Sequence, residues 1–326
     1  MFKSKLIGLV ALMVVFSVCL CVCRSAVYVK SGNSANHEKT NGESSVEAIN
    51  SNTAELSEKS SSGGVKPVNS ASQSSALSDN APINFELPYI DGVQLKLNTG
   101  FKGRCYLTFD DGPSKNTPAI LDILKKYNAK ATFFVVSSAN LSKVADIYNA
   151  GQAIGLHSDS HNYSQIYKGV NEYYSDLNAI RAKVLAYTGR DVKIIRFPGG
   201  SDNKVSLSQG RCPGLMTVLT SDVEKKGFRY FDWNVNSCDA EASMMVRIDG
   251  KRMVPTETIV RSVISGTENK DGSYKPDICV LMHDLGGKDT TVQALPYIIE
   301  YLSKIGYTFL ALDESAPDFK FKKLNN

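Results

Sequence analysis

The chain has no strong excess of either charge. Lys and Arg total 37, Asp and Glu total 33, and the net charge is +4 over 326 residues. Basic residues also form no stripe interleaved with aromatic side chains, which is the footprint of a surface that binds nucleic acid. We therefore expect no nucleic-acid partner.

Aromatic residues are missing from a long segment near the N terminus. Residues 31–82 are rich in Ser and Asn and contain no Phe, Trp or Tyr. Such a segment cannot bury enough apolar surface to offset the entropy that it would lose on ordering. The composition predicts a disordered linker over 31–82, followed by a folded domain over 83–326.

Charged residues are absent from 6–23, an apolar run that follows two lysines. A run of about eighteen residues is long for a secretion signal and just long enough to span a bilayer. Residues 1–30 are therefore interpreted as a signal anchor or a signal peptide. Arg24 is poorly suited to a cleavage site, which favours a retained anchor. This predicts a cell-membrane protein with its folded domain extracellular, or a secreted one if the segment is cleaved.

From residue 105 onward, short β-type runs alternate with longer amphipathic segments. The predicted strands are 105–109, 131–136, 153–156, 192–197, 229–235, 277–282 and 307–312. The predicted helices are 117–127, 141–149, 171–187, 214–226, 255–265 and 291–304. This alternation implies right-handed crossovers and a parallel sheet, and seven units favour a barrel-like closure. A doubly wound open sheet is the alternative.

Reactive residue types collect where the predicted strands end. Asp110 and Asp111 end the first strand, His157 the third, Arg196 the fourth and His283 the sixth. In a parallel α/β barrel, the carboxyl ends of the strands meet on one face, and such folds carry their sites there. We therefore place the functional site on this face.

Histidine is scarce, and three of the four histidines fall at these strand ends. The stretch "HSDSH" places His157 and His161 four residues apart, a spacing that puts two imidazoles on one face of a helical turn. A carboxylate from "FDD" would complete a His₂Asp set with an open fourth position, as in catalytic zinc sites. Ser158 stands where a zinc protease needs its Glu base, which argues against that class. The pattern predicts one divalent metal ion.

The stretches "TFDDGP", "HSDSH", "RFPGG", "FDWNVNSCDA" and "LMH" occur in this order between about residues 104 and 313. In order and spacing they resemble the five motifs of the NodB-homology polysaccharide deacetylases, carbohydrate esterase family 4. The resemblance implies a distorted (β/α)₇ barrel. It also implies metal-dependent removal of N-acetyl groups from amino-sugar polymers.

The resemblance also implies roles for individual residues. Asp110 would be the general base, oriented by Arg196, and Asp111 would bind the metal beside His157 and His161. The metal would be Zn²⁺, with Co²⁺ or Ni²⁺ as alternatives. His283 would be the general acid, oriented by Asp239. The positions assigned to substrate and oxyanion binding are Pro198, Gly199 through its backbone N–H, Trp233 and Leu281.

Two positions depart from the family pattern. The fourth motif commonly ends in Asp-Trp, but Ala240 follows Asp239 here, which removes one wall of the substrate groove. The third motif often has Tyr after Pro, and Gly199 stands there instead. Neither change touches the metal ligands or the proton-transfer groups, but both leave the substrate less defined.

The leading functional hypothesis is a monomeric peptidoglycan deacetylase that acts on N-acetylglucosamine. The anchor and linker support peptidoglycan as the substrate, because they would place the domain in a cell wall. Chitin or chitooligosaccharide deacetylase and O-acetyl (xylan) esterase are alternatives. A non-catalytic cell-wall sugar-binding domain is an alternative of another class. Asp110 and His283 argue against it, because a binding domain needs neither group.

Four cysteines lie outside the N-terminal apolar run. Cys105 and Cys279 fall inside the first and sixth predicted strands, which would not be neighbours in a seven-stranded closure. We expect buried thiols at both positions. Cys212 and Cys238 fall in neighbouring loops, where a disulfide could form in an extracellular domain. The alternative is that all four are reduced.

Overall fold

The computed structural model describes residues 100–138, 140–204 and 213–321. The predicted segment 1–30, the linker 31–82 and the first residues of the predicted domain lie outside these ranges and stay predictions. Within the described ranges, no helix combines the length and apolar character that crossing a membrane requires.

Strands and helices alternate along the described chain. The strands are β1 (Gly103–Asp110), β2 (Ala131–Val136), β3 (Ala153–Ser158), β4 (Ile194–Ile195), β5 (Arg229–Tyr230), β6 (Val235–Asn236), β7 (Val246–Ile248), β8 (Lys251–Met253), β9 (Asp277–His283) and β10 (Tyr307–Phe309). The helices are α1 (Thr117–Lys126), α2 (Val144–Asn149), α3 (Tyr163–Ile166), α4 (Val170–Thr188), α5 (Leu215–Lys225), α6 (Thr256–Gly266) and α7 (Asp289–Ile305). Two 3₁₀ turns, Leu141–Lys143 and Ala242–Met244, complete the described elements.

Eight of these strands form one curled parallel sheet. Its hydrogen-bonded order is β5-β4-β3-β2-β1-β9-β6, and β10 pairs with the start of β1. β5 and β6 stand at opposite ends of this order, although only residues 231–234 separate them in sequence. The sheet therefore curls into a half-barrel, which agrees with the predicted barrel-like closure and not with a doubly wound sheet. β7 and β8 form a separate antiparallel hairpin.

The inner strands are buried along nearly their whole length. All six residues of β2 and all but one of the eight residues of β1 are buried. Continuous apolar strands of this kind are typical of parallel sheets that are covered on both faces. Helix α1 adds Ile120 and Leu124, spaced as one apolar stripe, to the same core as Phe109 and Phe133. This core holds the strand ends that carry the candidate site.

The strand predicted over 229–235 is in fact two short strands. Phe231 N–H donates to the carbonyl of Ile195 at 3.0 Å, whereas Asn234 N–H donates to the carbonyl of Cys279 at 3.2 Å. Within four residues the backbone therefore leaves β4 and joins β9. The sequence could not show this change of partner, because it depends on which distant strand each half contacts.

The buried cysteines correct one prediction and confirm another. Strands β1 and β9 are direct neighbours, paired from Arg104–Asp277 to Asp110–His283, so the prediction that they are not neighbours was wrong. The cause is that β10 is short and pairs only with the first residues of β1. Cys105 and Cys279 are buried and form no disulfide, as predicted. Cys212 lies outside the described residues, so its bridge to Cys238 stays a prediction.

Candidate active site

Strand register brings the predicted site residues to one edge of the sheet. Asp110 and His283 are register partners at the ends of β1 and β9. Leu156 and Ile195 are register partners in β3 and β4, each one residue before a site residue, His157 or Arg196. These side chains therefore meet although they are far apart in sequence.

Asp111, His157 and His161 form a cluster that could hold a metal ion. Oδ1 of Asp111 lies 3.5 Å from His157 Nε2 and 3.1 Å from His161 Nε2, and the three ligand atoms are within 4.8 Å of one another. This oxygen is buried and has no hydrogen-bond partner in the described part of the chain. A buried, unpaired carboxylate oxygen is costly unless a cation compensates it. The cluster fits a divalent ion.

The environment of His157 suits a metal ligand. Its Nδ1 lies 2.8 Å from the carbonyl of Arg196. A carbonyl only accepts, so we assign the proton to Nδ1, which leaves the lone pair of Nε2 directed towards Asp111. Burial lowers the pKa of His157 to about 3. The ring is therefore neutral at ordinary pH, as metal binding requires.

The two histidines do not share a helical turn, which corrects that prediction. His157 belongs to β3, and His161 follows in a tight turn with φ of 48°. Asp176 of α4 accepts hydrogen bonds from Ser158 Oγ and from the next two backbone N–H groups, at 2.6–2.8 Å. Ser158 Oγ in turn accepts from His161 N–H at 2.9 Å. No sequence motif pointed to Asp176, because it belongs to a helix outside the motif that contains the two histidines.

Asp110 forms a buried ion pair with Arg196. Nη1 of Arg196 donates to Asp110 Oδ1 at 2.8 Å and to Thr108 Oγ1 at 2.7 Å. Its other nitrogens donate to the carbonyls of Phe231 and Asp232, both at 2.9 Å. Burial raises the pKa of Asp110, and the guanidinium opposes that rise. The pair holds a carboxylate with its other oxygen 4.0 Å from His157 Nε2, beside the metal cluster.

His283 is held by Asp239 at two points. Oδ1 of Asp239 lies 2.7 Å from His283 Nδ1, and Oδ2 accepts from His283 N–H at 2.9 Å. Burial lowers the pKa of His283, but Asp239 outweighs burial and raises the pKa to about 9. The ring is therefore protonated at neutral pH, with Nδ1 engaged and Nε2 available as a proton donor.

Asp284 fixes the loop that carries the two adjacent carboxylates. Its side chain is fully buried and accepts hydrogen bonds from Ser114 Oγ at 3.0 Å and from Thr117 Oγ1. Its Oδ2 lies 2.6 Å from where a Cβ on Gly112 would be, so only glycine fits there. Burial raises the pKa of Asp284 to about 6. Asp284 comes directly after the motif "LMH" and was not predicted as a site residue.

The remaining predicted residues lie in β9 and in the segments that follow β4 and β5. Leu281 is buried in β9, two residues before His283. The carbonyl of Pro198 accepts a hydrogen bond from Tyr167 at 2.8 Å. The Trp233 ring lies 4.9 Å from the Phe321 ring and 5.6 Å from the Arg196 guanidinium. Part of the Trp233 ring is therefore packed against Phe321 and Arg196 and is not free to bind a sugar.

Gly199, the predicted oxyanion position, adjoins a residue that sequence analysis missed. Its φ is 78°, a left-handed conformation. A Cβ on Gly199 would lie 3.1 Å from Cε1 and 3.3 Å from the hydroxyl oxygen of Tyr163. Burial raises the pKa of Tyr163, and the charges of Asp111 and Asp110 add to the rise. The glycine at position 199 did not point to Tyr163, because the left-handed conformation alone accounts for it.

Comparison with known proteins identifies the family. The family model described as polysaccharide deacetylase matches residues 98–218. A peptidoglycan-N-acetylglucosamine deacetylase of Bacillus cereus is 33% identical over 215 residues, which cover 65% of this chain and 70% of that protein. The chain belongs to the polysaccharide deacetylase family. It is a hydrolase that deacetylates polysaccharides.

Solved structures of deacetylases share the half-barrel. The catalytic domain of a peptidoglycan N-acetylglucosamine deacetylase from Eubacterium rectale is 40% identical, with a TM-score of 0.60 over 72% of this chain and 99% of that one. A polysaccharide deacetylase from Bacillus cereus is 31% identical, with a TM-score of 0.54 over 67% of this chain and 97% of that one. The matches agree with the curled parallel sheet described above.

Proposed function

We propose that this deacetylase removes the N-acetyl group from N-acetylglucosamine in peptidoglycan and that it needs one divalent metal ion. The observation that carries the proposal is the buried, unpaired Oδ1 of Asp111 between two imidazoles, with Asp110 and His283 beside it. The names of the relatives from Bacillus cereus and Eubacterium rectale support peptidoglycan as the substrate.

Asp111, His157 and His161 would hold the ion. One carboxylate and two imidazoles are a donor set that suits Zn²⁺, and Co²⁺ and Ni²⁺ are alternatives. A bound ion supplies Lewis acidity, which polarises the acetyl carbonyl and lowers the pKa of a water molecule.

The protein's own groups account for the proton transfers. Asp110, held by Arg196, takes a proton from the water whose oxygen attacks the acetyl carbon. Gly199 N–H donates a hydrogen bond to the carbonyl oxygen as it gains negative charge. The C–N bond then breaks, and protonated His283 donates its proton to the departing nitrogen. The products are acetate and a free amine on the sugar.

The charge states around the site match these roles. Asp239 raises the pKa of His283 to about 9, so the acid carries its proton at neutral pH. Burial raises the pKa of Asp110, and the Arg196 guanidinium opposes that rise, so the ion pair supports the charged carboxylate that a base needs. Opposite protonation states on two neighbouring groups are what an acid and base pair requires.

Acetate release from three polymers tests the substrate. The full chain is incubated with peptidoglycan, chitooligosaccharide and acetylated xylan, with and without added Zn²⁺, and Asp110→Asn serves as the inactive control. We expect the fastest release from peptidoglycan, and only with metal. Faster release from chitooligosaccharide or xylan would contradict the peptidoglycan proposal. Binding to the sugars with no release from any would indicate a binding domain.

We also propose that the segment predicted at 1–30 places the domain outside the cell membrane. The apolar run at 6–23 and the polymer named for the relatives support this location. Fractionation of cells that express the full chain should find it in the membrane fraction, accessible to protease added outside. Recovery from the cytoplasm would contradict the proposal, and recovery from the medium would show that the segment is cleaved.

A further inference from the structure

Tyr163 occupies the space that a side chain at position 199 would fill. Its ring and its hydroxyl oxygen lie 3.1 and 3.3 Å from the Cβ position of Gly199. The Gly199 N–H is the donor proposed for the acetyl oxygen, and N and Cβ are bonded to the same Cα. The phenol hydroxyl therefore lies close to the backbone group that we propose as the oxyanion donor.

Packing fixes the Tyr163 ring between two turns of the site. Its edge meets the His161 ring, with centroids 5.4 Å apart, and the Tyr167 ring, with centroids 6.0 Å apart. Tyr167 in turn donates to the carbonyl of Pro198 at 2.8 Å. Tyr163 thus joins the turn that carries His161 to the turn that carries Gly199. A group held in this way loses little entropy when it binds a ligand.

The hydroxyl of Tyr163 is not used by any protein group in the described part of the chain. In that part of the chain the hydroxyl makes no hydrogen bond to a protein group, although the side chain is half-buried. Burial raises its pKa, and the charges of Asp111 and Asp110 also raise it. A phenol keeps its proton at neutral pH and is a good donor to an oxyanion.

We propose that the Tyr163 hydroxyl donates a hydrogen bond to the acetyl oxygen, beside the Gly199 N–H, as this oxygen becomes an oxyanion. The inference rests on the proposed deacetylation and adds a second donor to it. The proton stays on the phenol, and no covalent bond to Tyr163 forms. Because the oxygen carries full negative charge only after attack, the hydrogen bond stabilises the transition state more than it stabilises the bound substrate.

The substitution Tyr163→Phe tests the hydroxyl while keeping the ring packed on His161. We expect kcat to fall about 10²-fold, as when one oxyanion donor is lost, with KM changed by less than about threefold. The metal content should equal that of the unmodified protein. Tyr187→Phe, which removes a hydroxyl from an exposed tyrosine of α4, is the matched control and should leave both constants unchanged.

A second measurement does not depend on turnover. Acetate is the proposed product, and its charged oxygens would accept hydrogen bonds from the same donors as the oxyanion. Its affinity for the zinc-loaded protein, measured by calorimetry, should therefore weaken about tenfold in Tyr163→Phe, the value of one hydrogen bond to a charged group. An unchanged kcat and acetate affinity would overturn the proposal. So would a higher KM with unchanged kcat, which indicates a contact with the bound sugar, or loss of metal, which indicates support of the His161 turn.

These outcomes are separate from failure of the proposed function. If the unmodified protein acts only on another acetylated polymer, the peptidoglycan proposal fails, and the Tyr163 comparison is made on that polymer. If the unmodified protein releases no acetate from any polymer, the deacetylation mechanism fails, and the affinity for acetate still decides whether the Tyr163 hydroxyl binds an acetyl oxygen.

Discussion

Asp110 and His283 face each other across two paired strands. They are register partners in β1 and β9, and the N–H of Asp284 donates to the carbonyl of Asp110 at 2.8 Å. A hydrogen-bonded register leaves little freedom along the strand direction. The distance between the proposed base and the proposed acid is therefore set by the sheet and not by a loop.

Replacement of the base should separate chemistry from metal binding. Asp110→Asn keeps the size of the side chain and an acceptor for Arg196, but it removes the group that takes the proton from water. We expect turnover to fall by about 10²-fold or more, with metal content unchanged by elemental analysis. Loss of metal together with activity would place Asp110 among the ligands instead.

Asp239→Asn should change how the rate depends on pH. The pKa of His283 is raised to about 9 because Asp239 outweighs burial, so the protonated acid is present below pH 9 and is lost above it. Without the carboxylate, burial lowers the pKa of His283, and the fall in kcat on the alkaline side should begin at lower pH. The measurement is kcat from pH 5 to 10, and an unshifted alkaline limb would contradict the role of Asp239.

The fold was predictable because its repeating pattern is strong. Predicted strand 131–136 matches β2 completely, and predicted helix 117–127 ends one residue beyond α1. The hairpin of β7 and β8 was missed, although Val246, Arg247 and Ile248 alternate before an Asp-Gly turn. Each of its strands has only three residues, and most of them are exposed. The neighbours of β1 were also missed, since strand order depends on contacts between distant parts of the chain.

The candidate site was predictable where its residues stand in short motifs. Asp111, His157 and His161 come together because two strand ends and one turn meet. Asp176 and Tyr163 were not singled out, because one acts from a distant helix and the other through a contact with a glycine. Residues that position a site from outside its motifs leave no local pattern in one sequence.

Asp176→Ala should weaken metal binding without removing a ligand. The carboxylate accepts three hydrogen bonds from the turn between His157 and His161. Removal of a residue that supports metal ligands from outside the coordination shell typically weakens metal affinity by about 10–100-fold. We expect a loss of this size in a zinc titration, and a larger loss for His161→Ala. Glu172→Ala, an exposed change on the same helix, should leave the affinity unchanged. Equal zinc affinity in Asp176→Ala and the unmodified protein would show that the turn keeps its conformation without Asp176.

Arg196→Lys should destabilise the fold although the charge is kept. The guanidinium is fully buried and donates at once to Asp110, Thr108 and the carbonyls of Phe231 and Asp232. A lysine has no planar fork and cannot reach all of these acceptors, so at least one buried carbonyl would lose its donor.

Each buried acceptor left without a donor costs about 1–3 kcal/mol, so the free energy of unfolding should fall by about 2 kcal/mol or more. Urea unfolding of the two proteins measures this difference, with Arg190→Lys at an exposed site as the control. Activity should fall as well, because Asp110 loses the partner that orients it. A change below about 0.5 kcal/mol, the size usual for surface substitutions, would show that a single positive charge is enough at this position.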